Sequence, residues 1–451
     1  MKYYLNIFIF LLLFPFIFVA CLKRTNFKKE FSDLDMYSKK LTNYELELKT
    51  DEQLLDNIKT MTLDKLSLKN AIGIALKNNI FLQASFEDLG VAKSDLEYAG
   101  LYDSNPHVGA IVRFPNKKHA KTVFELEGEI PISSYWQIPF KRKIFKDELI
   151  IITWGITSLI LDITRDVKKT YAKCFFESEI IGVYEKIIQV LLELIKRTKI
   201  RKNYGLETNK SIYLIKEQYV RFLEEKNKKI NNLNNFVLNL KKLLGINLAY
   251  NKITFETNLK YISCLNFDKD LLMHFMQAYN PDIYLANQMI SKYQNILKLE
   301  QSKFIKEFNL GFSYKREADG LREFGPLLSM DIPFFDTNNA EINKVKFLIQ
   351  KLRKSYLDQK EEIKQNLLIS FNNFIYFSNL KDTYLKHLIP LKNKIKKFTL
   401  KYFEKMQLTR IEDLQAQLNL YLTEIEYLDT CKEKFMFLAD IERNAGKNLC
   451  I

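Results

Sequence analysis

Val123-Phe124-Glu125-Leu126-Glu127-Gly128-Glu129-Ile130-Pro131-Ile132 alternates in character along its length. Phe124, Leu126, Gly128, Ile130 and Ile132 fall on one side, and Glu125, Glu127 and Glu129 on the other. Successive side chains of an extended chain point to opposite faces, so this pattern makes an amphipathic strand. Just upstream, Val108, Ala110, Val112 and Phe114 share one face in the same way. About two hundred residues later the grammar returns. Phe308, Leu310, Phe312 and Tyr314 oppose Asn309, Gly311, Ser313 and Lys315, and Leu328, Met330, Ile332 and Phe334 oppose Ser329 and Asp331. We place strands over about 107–116, 121–133, 307–317 and 325–335. Such strands fit a half-buried sheet in a soluble domain, or a membrane barrel with lipid outside and water inside. In the barrel reading Glu125, Glu127, Glu129, Lys315 and Asp331 face the lumen. A barrel in lipid must close, because an open edge leaves backbone groups unpaired there. Bacterial barrels begin at about eight strands. Four strands therefore require several chains to share one barrel.

The return of the pattern belongs to a longer duplication. Asn79-Ile80 matches Asn280-Pro281, Thr208 matches Thr409, Phe236 matches Phe437 and Gly245 matches Gly446, each at an offset of 201. Ile130-Pro131-Ile132 matches Ile332-Pro333-Phe334 at 202. We read repeat one over 66–246 and repeat two over 267–446, with a linker at 247–266 and a tail at 447–451. Each repeat opens with an amphipathic helix, Leu68–Tyr102 or Asp268–Ile305, followed by its two strands. A long helix then runs out to a tip, near 203–207 or 404–410, and a second returns.

The long helices carry a seam of alternating fours and threes. In repeat one it runs Ile163, Val167, Thr170, Cys174, Glu177, Ile181, Tyr184, Ile188, Leu191, Ile195 and Thr198. In repeat two it runs Ile411, Leu414, Leu418, Tyr421, Ile425, Leu428, Lys432 and Phe435. A period of 3.5 is the mark of left-handed coiled-coil packing. From Pro139 to Asn203 such a helix reaches roughly 90 Å. Each repeat thus forms a long antiparallel hairpin, and the fold class is mainly α with a β-barrel part.

The first twenty residues read as an export signal. Lys2 precedes an apolar run from Leu5 to Ala20, which ends in Val19-Ala20-Cys21. A small residue directly before cysteine resembles the bacterial lipobox, in which the cysteine is acylated and becomes the mature N-terminus. We expect a covalent lipid on Cys21 and a lipid tether over 21–65. No later segment reaches the ~20 apolar residues of a spanning helix.

The net charge of +15 is spread over the whole chain and mixed with carboxylates, so nucleic acid is not an expected partner. The five cysteines and four histidines are scattered, with no metal-ligand spacing and no catalytic motif. We expect no enzyme activity and no cofactor beyond the lipid.

Several motifs resemble the TolC-like outer-membrane efflux family over about 66–446. They are Leu68-Lys69-Asn70-Ala71 with Ala75-Leu76-Lys77-Asn78-Asn79, Ile332-Pro333-Phe334-Phe335-Asp336, Leu414-Gln415-Ala416-Gln417, and the repeat ends Leu244-Gly245 and Ala445-Gly446. The resemblance implies a homotrimer, in which a twelve-strand outer-membrane barrel continues into a twelve-helix periplasmic tunnel. It also implies a periplasmic adaptor and an inner-membrane pump as partners. The chain would then be the passive exit duct. Gly205, Leu206, Met406 and Gln407 would be the tip contacts for the adaptor, with Met406 standing where the family pattern has glycine. An acidic family position matching Glu412 lines the periplasmic entrance, so Arg410, Glu412, Asp413, Gln415 and Glu207 are the implied gate. The alternative for Glu412 and Asp413 is a pair of solvated charges favoured at a helix N-terminus. Ala99-Gly100-Leu101 with Asn105-Pro106, Phe140-Lys141-Arg142, and Gly311 with Gly325-Pro326 resemble the CzcC-like heavy-metal branch. Export of drugs or peptides through the same fold competes with metal export. A coiled-coil structural lipoprotein without a pore is the alternative of another class.

Overall fold

Asn79 and Asn280 each interrupt a helix and cap the turn before them. Leu68–Asn78 (α3) ends at Asn79 and Ile80–Tyr98 (α4) follows; Lys269–Tyr279 (α7) ends at Asn280 and Pro281–Ser302 (α8) follows. The two amphipathic stretches are therefore helix pairs, not single helices. Each asparagine leaves the helical region at ψ 116 and turns its side-chain amide to a carbonyl 164 residues away. Asn79 Nδ2 donates to Leu243 O at 3.0 Å, and Asn280 Nδ2 donates to Asn444 O at 2.8 Å.

The computed structural model describes residues 25–60, 65–101, 107–116, 120–246, 254–256, 259, 267–304, 308–332, 334 and 337–449. The export signal and Cys21 lie outside them. The described chain runs Lys28–Thr42 (α1), Asp51–Thr60 (α2), Lys65–Leu66 (β1), α3, α4, His107–Arg113 (β2), Val123–Pro131 (β3), Ser133–Asn203 (α5), Asn209–Leu244 (α6) and Thr254–Phe255 (β4). It continues through α7, α8, Phe308–Arg316 (β5), Arg322–Met330 (β6), Asn339–Thr383 (α9), a π-helical turn at Tyr384–Leu388, Ile389–Glu404 (α10) and Arg410–Ala445 (α11).

Two compact units divide it. One gathers residues up to 33 with 87–152 and 292–345, and contains the sheet β2-β3-β5-β6, antiparallel throughout. β6 lies three residues nearer the N-terminus than the sequence pattern placed it. Ile332 and Phe334 lie beyond its end and are exposed, so the 202-residue match is not kept in the hydrogen-bond ladder. Beside the sheet, Lys292 pairs with Glu148, and Asn295 donates to Asp147 at 2.7 Å.

The other unit holds the hairpins and the ends of both repeats. Leu272, Met276 and Ile283 pack with Ile363, Leu367, Ile441, Ala445 and Leu449 in one apolar core. The buried face of α5 is wider than the expected seam. Ile163, Val167, Cys174, Tyr184 and Leu191 are buried, and so is an adjacent row of Phe176, Ile180, Val183, Ile187 and Leu194. A stripe this wide seats a helix against more than one neighbour, whereas a two-helix seam needs only the narrower one. Burial pushes the Cys174 thiol up to about 12, which keeps it protonated and inert.

The segment read as a tether carries α1 and α2, and α1 buries Leu34, Ser38, Leu41 and Thr42. The linker contributes β4, which pairs in parallel with β1 through Lys65–Thr254 and Leu66–Phe255. Tyr171 donates to Leu66 O at 2.8 Å and stacks edge-on against Phe255, fixing that ladder to α5. Lys168 Nζ lies 2.5 Å from both Glu442 Oε2 and Asn448 Oδ1, and Glu442 Oε1 accepts from Leu449 N. Asn448 in turn bonds Leu41 O and Thr42 O, so the residues after α11 are clamped between α1 and α5.

Candidate conduit surfaces

The register decides which sheet residues share a face. Val112 lies opposite Phe124, Leu126 opposite Tyr314, Ile130 opposite Leu310, Leu310 opposite Leu328, and Tyr314 opposite Phe324. The apolar residues of all four strands therefore form one continuous surface. It is open in this chain: Val108 is 66% exposed, Leu328 63% and Phe324 77%. Aromatic neighbours cross the strands on it, with Phe124 and Tyr314 ring centres 6.2 Å apart and Phe312 and Phe324 6.4 Å apart.

The opposite face collects the carboxylates with Arg113 and Lys315, while Arg316 and Arg322 stand at one end of the apolar face. Glu125 lies across from Lys315, Glu127 from Ser313, Glu129 from Gly311, and Lys315 from Glu323. Arg113 reaches Glu125 at 3.1 Å, and Lys315 lies 3.9 Å from the same carboxylate. Asn309 donates to Glu129 at 3.4 Å. Sequence reading placed Glu125, Glu127, Glu129 and Lys315 on this face and missed His107, Arg113 and Glu323. The alternation in β6 is clear only from Leu328 on and does not reach back to Glu323; Arg113 and His107 follow from the same period in β2. Asp331 lies one residue past β6 and is not part of the ladder.

The tips share their closing bonds. Leu206 N donates to Arg201 O at 3.0 Å, and Gln407 N to Tyr402 O at 2.9 Å, the closing bond of a Schellman turn. The left-handed position is Gly205 at φ +74 in one tip and Met406 at φ +56 in the other. The chain thus keeps the glycine geometry with a methionine, which is 94% exposed. Tyr204, Leu206 and Gln407 are exposed too, so the tips present apolar groups to solvent in this chain.

Thr208 and Thr409 start the returning helices, their hydroxyls accepting from Ser211 N at 3.3 Å and Glu412 N at 3.4 Å. In tip two the Glu412 carboxylate answers by accepting from Thr409 N at 2.7 Å, completing a capping box. Bonds from the Thr409 backbone and hydroxyl, and the nearby Arg201 cation, hold the Glu412 carboxyl below the usual glutamate range. Asp413 is fully buried. It takes Arg410 at 2.5 Å, Gln417 at 3.0 Å and Thr399 at 3.4 Å, while Arg410 lies over the Phe403 ring. The five implied gate residues are thus of three kinds. Glu412 and Gln415 are exposed, Asp413 with Arg410 forms an inward ion pair, and Glu207 pairs with Arg201 at 3.6 Å. Ser211 and the buried Ile212 occupy the repeat-one positions of Glu412 and Asp413, so the acidic pair is confined to tip two.

Among the described residues no group of His, Cys, Asp and Glu is arranged to hold a metal ion, and no helix is long and apolar enough to cross a membrane. No family model matches the chain. No curated protein matches it in sequence. Its fold does match solved structures. It is similar to CusC, studied for the conformational changes that accompany folding and transmembrane channel formation, at a TM-score of 0.70 and 12% identity, over 84% of this chain and 92% of that one. It is similar to the CmeC outer-membrane channel of Campylobacter jejuni at 0.67 and 13%, over 85% and 86%. It is similar to the outer-membrane protein VceC of Vibrio cholerae at 0.66 and 13%, over 84% and 96%.

Proposed function

We propose that three copies of this chain close their four-stranded sheets into one outer-membrane barrel and act as the passive exit duct of an efflux system. The observation that carries this is the sheet itself. Its apolar face is exposed across all four strands, with Arg316 and Arg322 at one end of it, its polar face gathers the carboxylates, and β2 and β6 stand at its two edges. Lipid suits the first face and water the second, and only closure with other copies removes both edges. Similarity in fold to outer-membrane channels supports the reading. The duct would take its cargo from a periplasmic adaptor and an inner-membrane pump that meet the exposed tips.

Cations are the cargo we favour. The polar face carries Glu125, Glu127, Glu129 and Glu323 against Arg113 and Lys315, a negative balance that three-fold repetition multiplies. At the tips, three exposed Glu412 side chains would add a ring of charge. In each chain the capping bonds favour the ionised form of Glu412, which works against the mutual repulsion of three like charges in a ring.

Native mass measurement of the solubilised protein is expected to give three chains, and a planar bilayer to show conductance selective for cations. Glu412→Gln is expected to lower cation preference and block by divalent cations from the tip side. Monomeric, non-conducting protein would overturn the duct; unchanged selectivity would move the constriction away from Glu412.

We further propose that Cys21 is acylated after removal of residues 1–20. A fatty-acid analogue fed to cells is expected to label the wild type and not Cys21→Ser. Since the barrel is a second membrane signal, that variant should stay with the membrane once exported.

A further inference from the structure

The start of α5 sorts its side chains by chemistry around the helix. Ser133, Gln137, Ile144, Asp147 and Ile151 are buried on one side. Both carboxylates of the segment are met by α8, Asp147 by Asn295 and Glu148 by Lys292. The other side begins with an aromatic group. Tyr135 is 56% exposed, and Trp136 lies 6.4 Å from both Phe304 and Phe308, the latter on the apolar face of the sheet. Seven to eleven residues further on, the same side carries Arg142, Lys143 and Lys146. All three are exposed, and none forms an ion pair among the described residues.

This is the order of a membrane boundary. The apolar sheet face comes first, then amphipathic rings, then cations. Tyr and Trp prefer the hydrocarbon–water interface. At ~1.5 Å per residue the cations begin roughly 10 Å beyond Tyr135. Their long stems can lie back along the helix and return the charge to head-group depth. Repeat two lacks this arrangement, with Asp336 and Thr337 at the matching positions, so the helix hairpin alone does not demand it.

We propose that the stripe of Arg142, Lys143 and Lys146 binds the phosphates of anionic phospholipid head groups, beside the Tyr135–Trp136 aromatic boundary. This rests on the barrel reading above and adds the lipid partner. Arg142 supplies a planar fork suited to phosphate, and the two lysines supply point charges. Anionic lipid is favoured over an acidic surface of a second copy because the stripe continues the apolar face already assigned to lipid.

The test uses the full-length protein in nanodiscs of phosphatidylglycerol mixed with phosphatidylcholine, reading retained lipid by native mass measurement. Wild type is expected to retain the anionic lipid roughly tenfold or more in preference, at about fivefold for each surface cation before screening. The triple variant Arg142→Gln, Lys143→Gln, Lys146→Gln should lose most of that preference while its trimer mass and conductance persist. An unchanged preference overturns the proposal. Loss of the trimer in the variant also overturns it, and assigns the stripe to contact between copies. Wild type that conducts without lipid preference sinks the lipid site alone; wild type that does not conduct sinks the duct reading as well.

Discussion

Gly446→Ala is expected to destabilise the protein by about 2–5 kcal/mol, and Gly245→Ala by a similar amount. Both glycines end a helix in the left-handed region, at φ +76 and φ +62. For any other residue that conformation costs about 1–2 kcal/mol. Here the neighbouring chain adds to it. A Cβ on Gly446 would sit 2.6 Å from the Tyr279 carbonyl oxygen and 2.7 Å from Asn280 N. On Gly245 it would sit 2.1 Å from the Asn78 carbonyl oxygen. Backbone cannot rotate aside as a side chain can, so forcing these segments apart adds about 1–3 kcal/mol. Gly205 is the control. It shares the conformation at φ +74, but a Cβ there meets nothing within 4 Å. Gly205→Ala should cost only about 1 kcal/mol, and Met406→Gly should gain a similar amount. Denaturant unfolding of the purified variants tests the ranking. Equal losses at Gly205 and Gly446 would show that the close approach is not what matters.

Lys168→Met is expected to cost about 3–5 kcal/mol, because it strands a buried carboxylate. The Lys168 and Glu442 side chains are only 7% and 6% exposed. Glu442 would keep the Leu449 backbone donor and lose the Lys168 cation at 2.5 Å. Removing both charges, with Lys168→Met and Glu442→Leu, should recover much of the loss, since well-packed apolar pairs often replace buried ion pairs. The clamp gives a second readout. Freed of Lys168, the segment from Gly446 to Leu449 should become sensitive to carboxypeptidase while the hairpins stay folded. Full resistance in the single variant would mean that the Asn448 bonds to Leu41 and Thr42 hold the segment unaided.

The strands were readable because period two survives every substitution that keeps one face apolar, as Val123–Ile132 shows. The tips were readable because a turn between long helices must reverse the chain, and Gly205 with Thr208 carries the necessary conformations. What failed to show was shorter or non-local. β1 and β4 are two residues each, too brief for any period, and they meet where Tyr171 packs edge-on against Phe255. α1 looked like a polar tether because its buried set is small, Leu34, Ser38, Leu41 and Thr42. The π turn at Tyr384–Leu388 precedes Pro390, whose missing N–H disturbs the turn before it, but no pattern of apolar residues marks how the helix absorbs it. At the candidate gate, Glu412 and Asp413 read alike as acids. The capping box and the Arg410 pair separate them, one turned to solvent and one turned inward.

The two asparagine bonds also govern when the protein can fold. Asn79 and Asn280 each wait for a carbonyl 164 residues later in the chain. For a chain exported unfolded, as proposed above, that wait is set by translocation rather than by synthesis. During it the helices and tips can form from local contacts, but neither repeat can shut. Contacts of such high sequence separation slow folding. The last step in each half is therefore the docking of a nearly finished hairpin onto its own starting helix, and the second half cannot take that step until Asn444 has appeared.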